Sequence, residues 1–461
     1  MLSSALVVIN VFYKIRTITM NKLIAAIFSI VIFAVAAFAG GKEVPPVRTN
    51  YYEVNFDPAK IAPYTLEDPL TFLDGSKVTT PEQWKIRRQE ILDIFAREMY
   101  GQQPPLPETV IVETIEENQL TLGGFGMRSQ YKMYFRADKS GPVIYWLVIA
   151  PQYVKKPAPV IMFLNYGGNQ TLLNDSQVLI PETPENWLRP YRITASRGAL
   201  LAPEHYYHFP IQTILSAGYA VVSACYKNVS PDPDIEEKNP DFQQHNFACS
   251  GVFELWGKRD ESRTDNITAL GAWAWVLSRG VDLVEKLPYL DAGKVTVTGC
   301  SRLGKAALLA AARDERFAVC VPIQSGGGGA TLAKRDFGEN IATQMQMFTH
   351  WYCKAYKKYE RNPAKLLTFD QHLLVAAIAP RRLLIGGFDR AWFDTEGEFL
   401  ACKAASPVWE FLGKPGLPTT VYPDSYEIGA IGKYLGYYRR TGGHGLAGFD
   451  WWQLLHFAAE E

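Results

Sequence analysis

Ser301 lies where a serine nucleophile would be expected. It occupies the third position of the run Gly299-Cys-Ser-Arg-Leu-Gly304-Lys, after an apolar run that predicts a strand and before an alanine-rich run that predicts a helix. At such a sharp strand-to-helix turn the serine projects above the sheet, and the next backbone N–H can face a developing oxyanion. Ser is also a favoured helix N-cap. Because strand, turn and helix occur together, the pattern favours a nucleophile, although Gly-x-Ser-x-x-Gly is one residue longer than the usual motif.

A serine hydroxyl needs a base, usually a histidine held by a carboxylate, in the chain order Ser, acid, His. His372 precedes the predicted strand at 382–385, and His456 lies in a predicted terminal helix. His444 lies in the glycine-rich loop Thr-Gly-Gly-His-Gly-Leu before that helix. Chain order and loop placement predict His444 as the base.

The carboxylate is expected in the loop that follows the strand at 382–385. Asp389 is the first acidic residue beyond this strand and Asp394 is the second. Either could instead cap a helix or lie at the surface, since Asp readily bonds to nearby backbone groups. The sequence favours Asp389 as the acid and leaves Asp394 as the alternative.

The elements that must position these residues alternate along the chain. Continuous apolar runs separated by helical stretches are typical of a largely parallel sheet with both faces covered. The sequence therefore predicts an α/β-hydrolase fold, a three-layer αβα sandwich with a mostly parallel central sheet. The predicted strands are at 143–149, 159–164, 219–223, 294–298, 318–323 and 382–385, and the main predicted helices are at 81–99, at 267–284 and from 305 onward.

Composition limits the partners. Lys plus Arg and Asp plus Glu both number 47, so no net charge attracts a nucleic acid or an anionic membrane. The six cysteines form no Cys-x-x-Cys pair that would indicate zinc. The four glycines at 326–329 lack the Lys-Ser/Thr of a phosphate-binding loop and more readily allow a close backbone approach. We expect no cofactor and no metal.

The first 39 residues are predicted to be a leader and signal peptide, with translation starting at Met20. An apolar run at 23–38 follows Lys22 and ends in Ala-Phe-Ala39 before Gly40. This run is shorter than the roughly 20 apolar residues of a membrane span, so no stable anchor is expected. We predict cleavage near Ala39, a secreted or periplasmic protein, and one catalytic domain over 40–461.

With these residues in place, the sequence resembles the glucuronoyl esterase family, which cleaves esters between glucuronic acid on xylan and lignin alcohols. The similarity extends over nearly the whole mature chain, and its most specific motif is Gly299-Cys-Ser-Arg-Leu-Gly-Lys305. The resemblance implies Ser301 as nucleophile, His444 as base and Arg302 as oxyanion-hole donor. It also implies that Lys305 and Glu339 contact sugar hydroxyls and that Trp392 lines the uronate pocket.

Two departures from the family pattern concern the acid. Many members carry a catalytic Glu where this chain has Gln324, and others carry an Asp at the position of Arg390, one residue after Asp389. Gly445 also replaces a Cys that in some relatives bridges to the Cys before the nucleophile, here Cys300. The expected activity is hydrolysis of a carbohydrate ester. The alternatives are an acetyl xylan esterase with the same triad and a non-catalytic carbohydrate-binding relative.

Overall fold

The computed structural model describes residues 54–154, 156–181, 196–232, 250–423 and 429–459. These described residues belong to one compact unit. The predicted leader, with Met20 and Ala39, lies outside the described residues. None of the helices in the described ranges is both long and apolar enough to cross a membrane.

A ten-stranded sheet runs through the described part of the chain, in the order β1-β2-β3-β5-β4-β6-β7-β8-β10-β9. The five pairings that join β5, β4, β6, β7, β8 and β10 are parallel, and the strands at both edges are antiparallel. The strands are β1 Ile111–Thr121, β2 Gly126–Tyr134, β3 Ile144–Pro151, β4 Ala158–Asn165, β5 Ala220–Cys225, β6 Leu290–Cys300, β7 Phe317–Ile323, β8 Arg382–Phe388, β9 Ala430–Ile431 and β10 Leu435–Arg440.

Helices cover both faces of this sheet, which confirms the predicted α/β-hydrolase sandwich. Residues of α1, α3, α4, α7 and α8 belong to one buried apolar cluster, and residues of α2 and α9 belong to a second cluster on the other face. The described helices are α1 Pro81–Phe95, α2 Ile211–Ser216, α3 Ala269–Val284, α4 Arg302–Arg313, α5 Ile341–Met347, α6 Pro363–Leu366, α7 Gln371–Ala376, α8 Thr395–Phe411 and α9 Gly448–Ala459.

The parallel strands carry the candidate site at their carboxyl ends. Ser301 directly follows β6, Gln324 follows β7, Asp389 follows β8 and His444 lies beyond β10. Because β6, β7, β8 and β10 are successive parallel neighbours, these four loops open at one edge of the sheet. Ligands of open α/β sheets bind at this edge.

Candidate active site

Ser301 adopts the strained backbone that the elbow motif requires. Its φ is 57° and its ψ is −128°, and its side chain makes no capping hydrogen bond to α4, so the N-cap interpretation fails. The two flanking glycines allow the turn: a Cβ on Gly299 would collide with the Leu303 carbonyl, and one on Gly304 would lie 2.8 Å from the Ile323 oxygen. Positive φ at a non-glycine residue is costly and clusters at functional sites.

His444 is half-buried among aromatic rings. Its ring stacks on Phe393 at 4.8 Å between centroids and lies 5.7 Å from Phe388. Its Nδ1 contacts the hydroxyl of Tyr206, and its buried Nε2 has no hydrogen-bond partner. Burial lowers the pKa of the imidazole to about 4. His444 is therefore held as a neutral ring with one nitrogen available to a proton donor.

A buried ion pair fixes the His444 loop. The Arg440 guanidinium donates to the carbonyls of Thr441 at 2.9 Å, Gly443 at 3.2 Å and Gly445 at 3.0 Å, on both sides of His444. Its Nε donates to Asp450 at 2.8 Å. Burial raises the pKa of Asp450, and the Arg440 charge opposes that rise. We call Arg440 and Asp450 the loop clamp.

The structure does not bring the predicted acid to the base. Asp389 is exposed just beyond β8, and neither ring nitrogen of His444 is bonded to its carboxylate. Asp394 instead caps α8 through the Gly397 N–H and pairs with Arg335 at 2.7 Å. No hydrogen bond joins the Asp389 carboxylate to His444, so the role of Asp389 as the orienting acid stays a prediction, while Asp394 is occupied by Arg335 and by the α8 cap.

Gln324 occupies the alternative acid position beside the His444 loop. Its backbone has a φ of 50°, its side chain is fully buried, and its Oε1 accepts the Gly445 N–H at 2.8 Å. The Cys300 thiol lies 3.7 Å from the same oxygen. The amide thus supports the loop but carries no charge that could stabilise an imidazolium.

Cys300 has no disulfide partner, and the five described cysteines are all free and buried.

Arg302 is fixed beside the nucleophile by Asp232. Its Nη1 donates to Asp232 at 2.5 Å, and its guanidinium lies 4.7 Å from the centroid of the Trp351 ring. Asp232 also accepts from the Trp351 indole at 2.9 Å and lies 2.7 Å from His350 Nε2. Burial favours a higher pKa of Asp232, but the Arg302 charge and these hydrogen bonds outweigh it and hold the pKa well below its usual range. Arg302 is thereby a preorganised cation.

The three residues expected to contact substrate lie together. Lys305 Nζ donates to Glu339 at 3.0 Å and to the Ser325 carbonyl at 2.7 Å, and both members of this ion pair are buried. Burial raises the pKa of Glu339, and Lys305 opposes that rise. The Glu339 N–H donates to the Trp392 carbonyl at 2.7 Å, and the half-buried Trp392 ring lies 6.4 Å from Phe56. Their roles toward a sugar stay predictions.

The glycines at 326–329 serve backbone packing. A Cβ on Gly328 would collide with the Tyr352 ring, and the Gly326 N–H donates to Glu398 at 2.9 Å. The glycine loop therefore packs against neighbouring side chains, as its lack of phosphate-binding residues predicts.

Among the described residues, no group of three or more His, Cys, Asp or Glu side chains could hold a metal ion.

Sequence reasoning missed Tyr206, Asp232 and the loop clamp. Tyr206 and Asp232 precede Ser301 by 95 and 69 positions, in loops with no motif of their own. Asp450 could have been noticed as an acidic residue in the first turn of an apolar helix. Only the fold brings these side chains to the site.

Comparisons with known proteins find carbohydrate esterases among the relatives of this chain. The family model described as "Glucuronyl esterase, fungi" matches residues 240–413. A carbohydrate esterase from an unknown prokaryotic organism is 33% identical over 424 residues, which cover 90% of this chain and 93% of the relative. A 4-O-methyl-glucuronoyl methylesterase of Schizophyllum commune is 29% identical over 409 residues, which cover 86% of this chain and 83% of the relative.

Solved structures show the same relationship. The glucuronoyl esterase of Solibacter usitatus is 35% identical and superposes with a TM-score of 0.77, covering 87% of this chain and 98% of the other. A promiscuous esterase from a marine bacterial metagenome is 32% identical with a TM-score of 0.76, covering 88% of this chain and all of the other. With the elbow at Ser301, these matches establish that the chain belongs to the glucuronoyl esterase family and is a carboxylic ester hydrolase.

Proposed function

We propose that this protein is a serine esterase that hydrolyses glucuronoyl esters between lignin alcohols and the glucuronic acid of xylan. The observation that carries the proposal is Ser301, held at φ 57° and ψ −128° at the strand-to-helix turn. The relatives named glucuronoyl esterase or methylesterase support the acyl group. The proposed substrate is thus a carbohydrate ester.

In the proposed mechanism, Ser301 Oγ attacks the uronoyl carbonyl while His444 Nε2 accepts the hydroxyl proton. The imidazolium then donates this proton to the departing alcohol, which leaves an acyl-enzyme on Ser301. Water attacks the acyl-enzyme with His444 as base, and the imidazolium then returns this proton to Ser301 Oγ as glucuronate leaves. The buried, unbonded Nε2 supports this assignment.

Arg302 is the proposed oxyanion donor, together with N–H groups at the start of α4. These first-turn N–H groups have no partner within the helix. Asp232 and Trp351 fix the guanidinium before substrate arrives, so little reorganisation is needed as charge develops. Loss of one such donor costs about 100- to 1000-fold in kcat.

Lys305, Glu339 and Trp392 are the proposed contacts of the sugar. A lysine ammonium has three N–H donors, and two of those on Lys305 are directed at Ser325 and Glu339. The third N–H and the second Glu339 oxygen can serve hydroxyls, while Trp392 offers an aromatic face to the ring.

Two experiments test this proposal. Purified enzyme is assayed on benzyl glucuronate and on acetylated xylan. A clear preference for benzyl glucuronate is expected. A preference for acetate would assign an acetyl xylan esterase, and no hydrolysis would assign a binding protein.

N-terminal sequencing of the exported protein tests the leader, and a mature terminus near Gly40 supports a secreted or periplasmic location.

A further inference from the structure

The hydrogen-bond position that a triad carboxylate normally fills is occupied here by a phenol. In serine hydrolases the acid contacts Nδ1 of the histidine and fixes its tautomer and orientation. In this structure Nδ1 of His444 contacts the Tyr206 hydroxyl. Among the residues that the structure describes, no carboxylate is hydrogen-bonded to either ring nitrogen.

The backbone independently holds Tyr206 at this place. The Leu446 N–H donates to the Tyr206 carbonyl at 3.0 Å, and the His208 N–H donates to the Leu446 carbonyl at 3.1 Å. Gly445 adopts a φ of 135°, and a Cβ there would collide with the Tyr206 carbonyl. The segment that carries Tyr206 is thus paired with the loop that carries His444, whatever the rotamers of the two side chains.

We propose that Tyr206 is the positioning residue of His444 and takes the place of the triad acid. His444 Nδ1–H donates to the phenol oxygen, which leaves the lone pair on Nε2 for the proton of Ser301. Tyr206 and Nδ1 keep their protons throughout, and the proton that moves in acylation passes from Ser301 to Nε2 and on to the leaving alcohol. This inference rests on the proposed roles of Ser301 and His444 and adds the group that orients the base.

A phenol and a carboxylate would not serve this role equally. Hydrogen bonds with an ionised partner are roughly twice as strong as those between neutral groups. A carboxylate can only accept and so fixes the tautomer, whereas a phenol can donate or accept. In the proposed arrangement Tyr206 accepts from Nδ1–H and stabilises the imidazolium less than a carboxylate would. Gln324, which is neutral and bonded to Gly445, adds no charge to compensate. The site thus relies on geometry more than on charge to activate Ser301.

The test compares Tyr206→Phe with the wild type. Tyr153→Phe is the matched control, because this tyrosine is 76% exposed in the turn after β3 and loses the same hydroxyl. A neutral hydrogen bond contributes roughly 0.5–1.5 kcal/mol, so kcat on benzyl glucuronate should fall about two- to tenfold in Tyr206→Phe with KM unchanged. Tyr153→Phe should match the wild type.

Two further readouts separate positioning from other roles. The rate at which a fluorophosphonate labels Ser301 should fall by the same factor, because labelling requires the base but not the sugar. Nitrogen-15 spectra of labelled histidine should show His444 as the Nδ1–H tautomer in the wild type and as a tautomer mixture in Tyr206→Phe. Unchanged kcat, a rise in KM alone, or an Nε2–H tautomer in the wild type would overturn the inference.

The same measurements distinguish failure of the glucuronoyl esterase proposal from failure of the inference about Tyr206. A wild-type enzyme that is labelled at Ser301 but does not cleave benzyl glucuronate would refute the glucuronoyl assignment. The labelling rates and histidine spectra would still decide the role of Tyr206. A wild type that is not labelled at all would refute both proposals.

Discussion

Replacement of Asp450 by Asn should release the loop that carries His444. Asp450 is fully buried and accepts hydrogen bonds from Arg440 at 2.8 Å, from the Ala447 N–H at 2.8 Å and from the Tyr438 hydroxyl at 2.9 Å. Asparagine preserves the shape but removes the charge. The Arg440 guanidinium then stays buried without its carboxylate, and the group that bonds the loop carbonyls is no longer anchored by an opposite charge.

The expected loss of stability is large. Removal of one partner from a buried ion pair costs about 3–5 kcal/mol, because the remaining charge is uncompensated. The matched control is Asp68→Asn, which breaks an ion pair with Lys77 whose side chains are 46% and 66% exposed, respectively. An exposed pair contributes about 0–1 kcal/mol. Because Arg440 holds carbonyls on both sides of His444, kcat should fall in Asp450→Asn even where the protein is fully folded.

Urea unfolding of the two variants and the wild type measures the loss of stability. Assays on benzyl glucuronate at urea concentrations below the unfolding transition measure the loss of kcat. If Asp450→Asn lowers the free energy of unfolding no more than Asp68→Asn does, the buried pair does not stabilise the fold as proposed. A large loss of stability with unchanged kcat would show that the loop clamp does not position His444.

Four further outcomes follow from the site. Because burial lowers the His444 pKa to about 4, the acid limb of kcat/KM should lie near pH 4, and a limb near 6.5 would contradict this. Burial raises the Glu398 pKa to about 8, so the folded state retains a proton that the unfolded state loses. The contribution of Glu398 to stability should therefore fall between about pH 4.5 and 8, by up to about 1.4 kcal/mol per pH unit, so the difference in urea-unfolding free energy between the wild type and Glu398→Gln should change with pH by that amount. Asp232→Asn should lower kcat about 10- to 100-fold by loosening Arg302, with KM less affected, and an unchanged kcat would argue against an oxyanion role. Asp389→Asn should retain wild-type kcat, and a large loss would restore Asp389 as the acid.

Most of the central sheet was predictable, but the buried strand β10 was missed because its sequence Leu-Gly-Tyr-Tyr-Arg-Arg is not an apolar run. β4, β5, β7 and β8 are largely apolar, β6 alternates Val and Thr before the elbow, and each was located to within a few residues, as was the turn at Ser301. The hairpin of β1 and β2 was missed because β1 is largely exposed at the sheet edge and carries Glu113, Glu116 and Glu117. An edge strand with polar residues has no periodic signal that distinguishes it from a loop.

Only the residues of the candidate site that lie in local sequence motifs could be predicted. Ser301 lies in the elbow motif and His444 in a glycine-rich loop, and both follow strands of the sheet. The partner of His444 could not be found, because chain order points to the loop after β8 while the contact comes from Tyr206, in a loop far upstream. Likewise, Asp232 is one aspartate among many in the sequence, and only burial beside Arg302 distinguishes it.

The most direct test of the central claim is detection of the acyl-enzyme. Benzyl glucuronate is mixed with wild-type protein and with Ser301→Ala, the reactions are quenched with acid within milliseconds, and peptides are analysed by mass spectrometry. We expect a glucuronoyl adduct on the wild-type peptide that contains Ser301, with release of benzyl alcohol, and neither with Ser301→Ala. Benzyl alcohol release by Ser301→Ala at the wild-type rate, or an adduct on another residue, would contradict it.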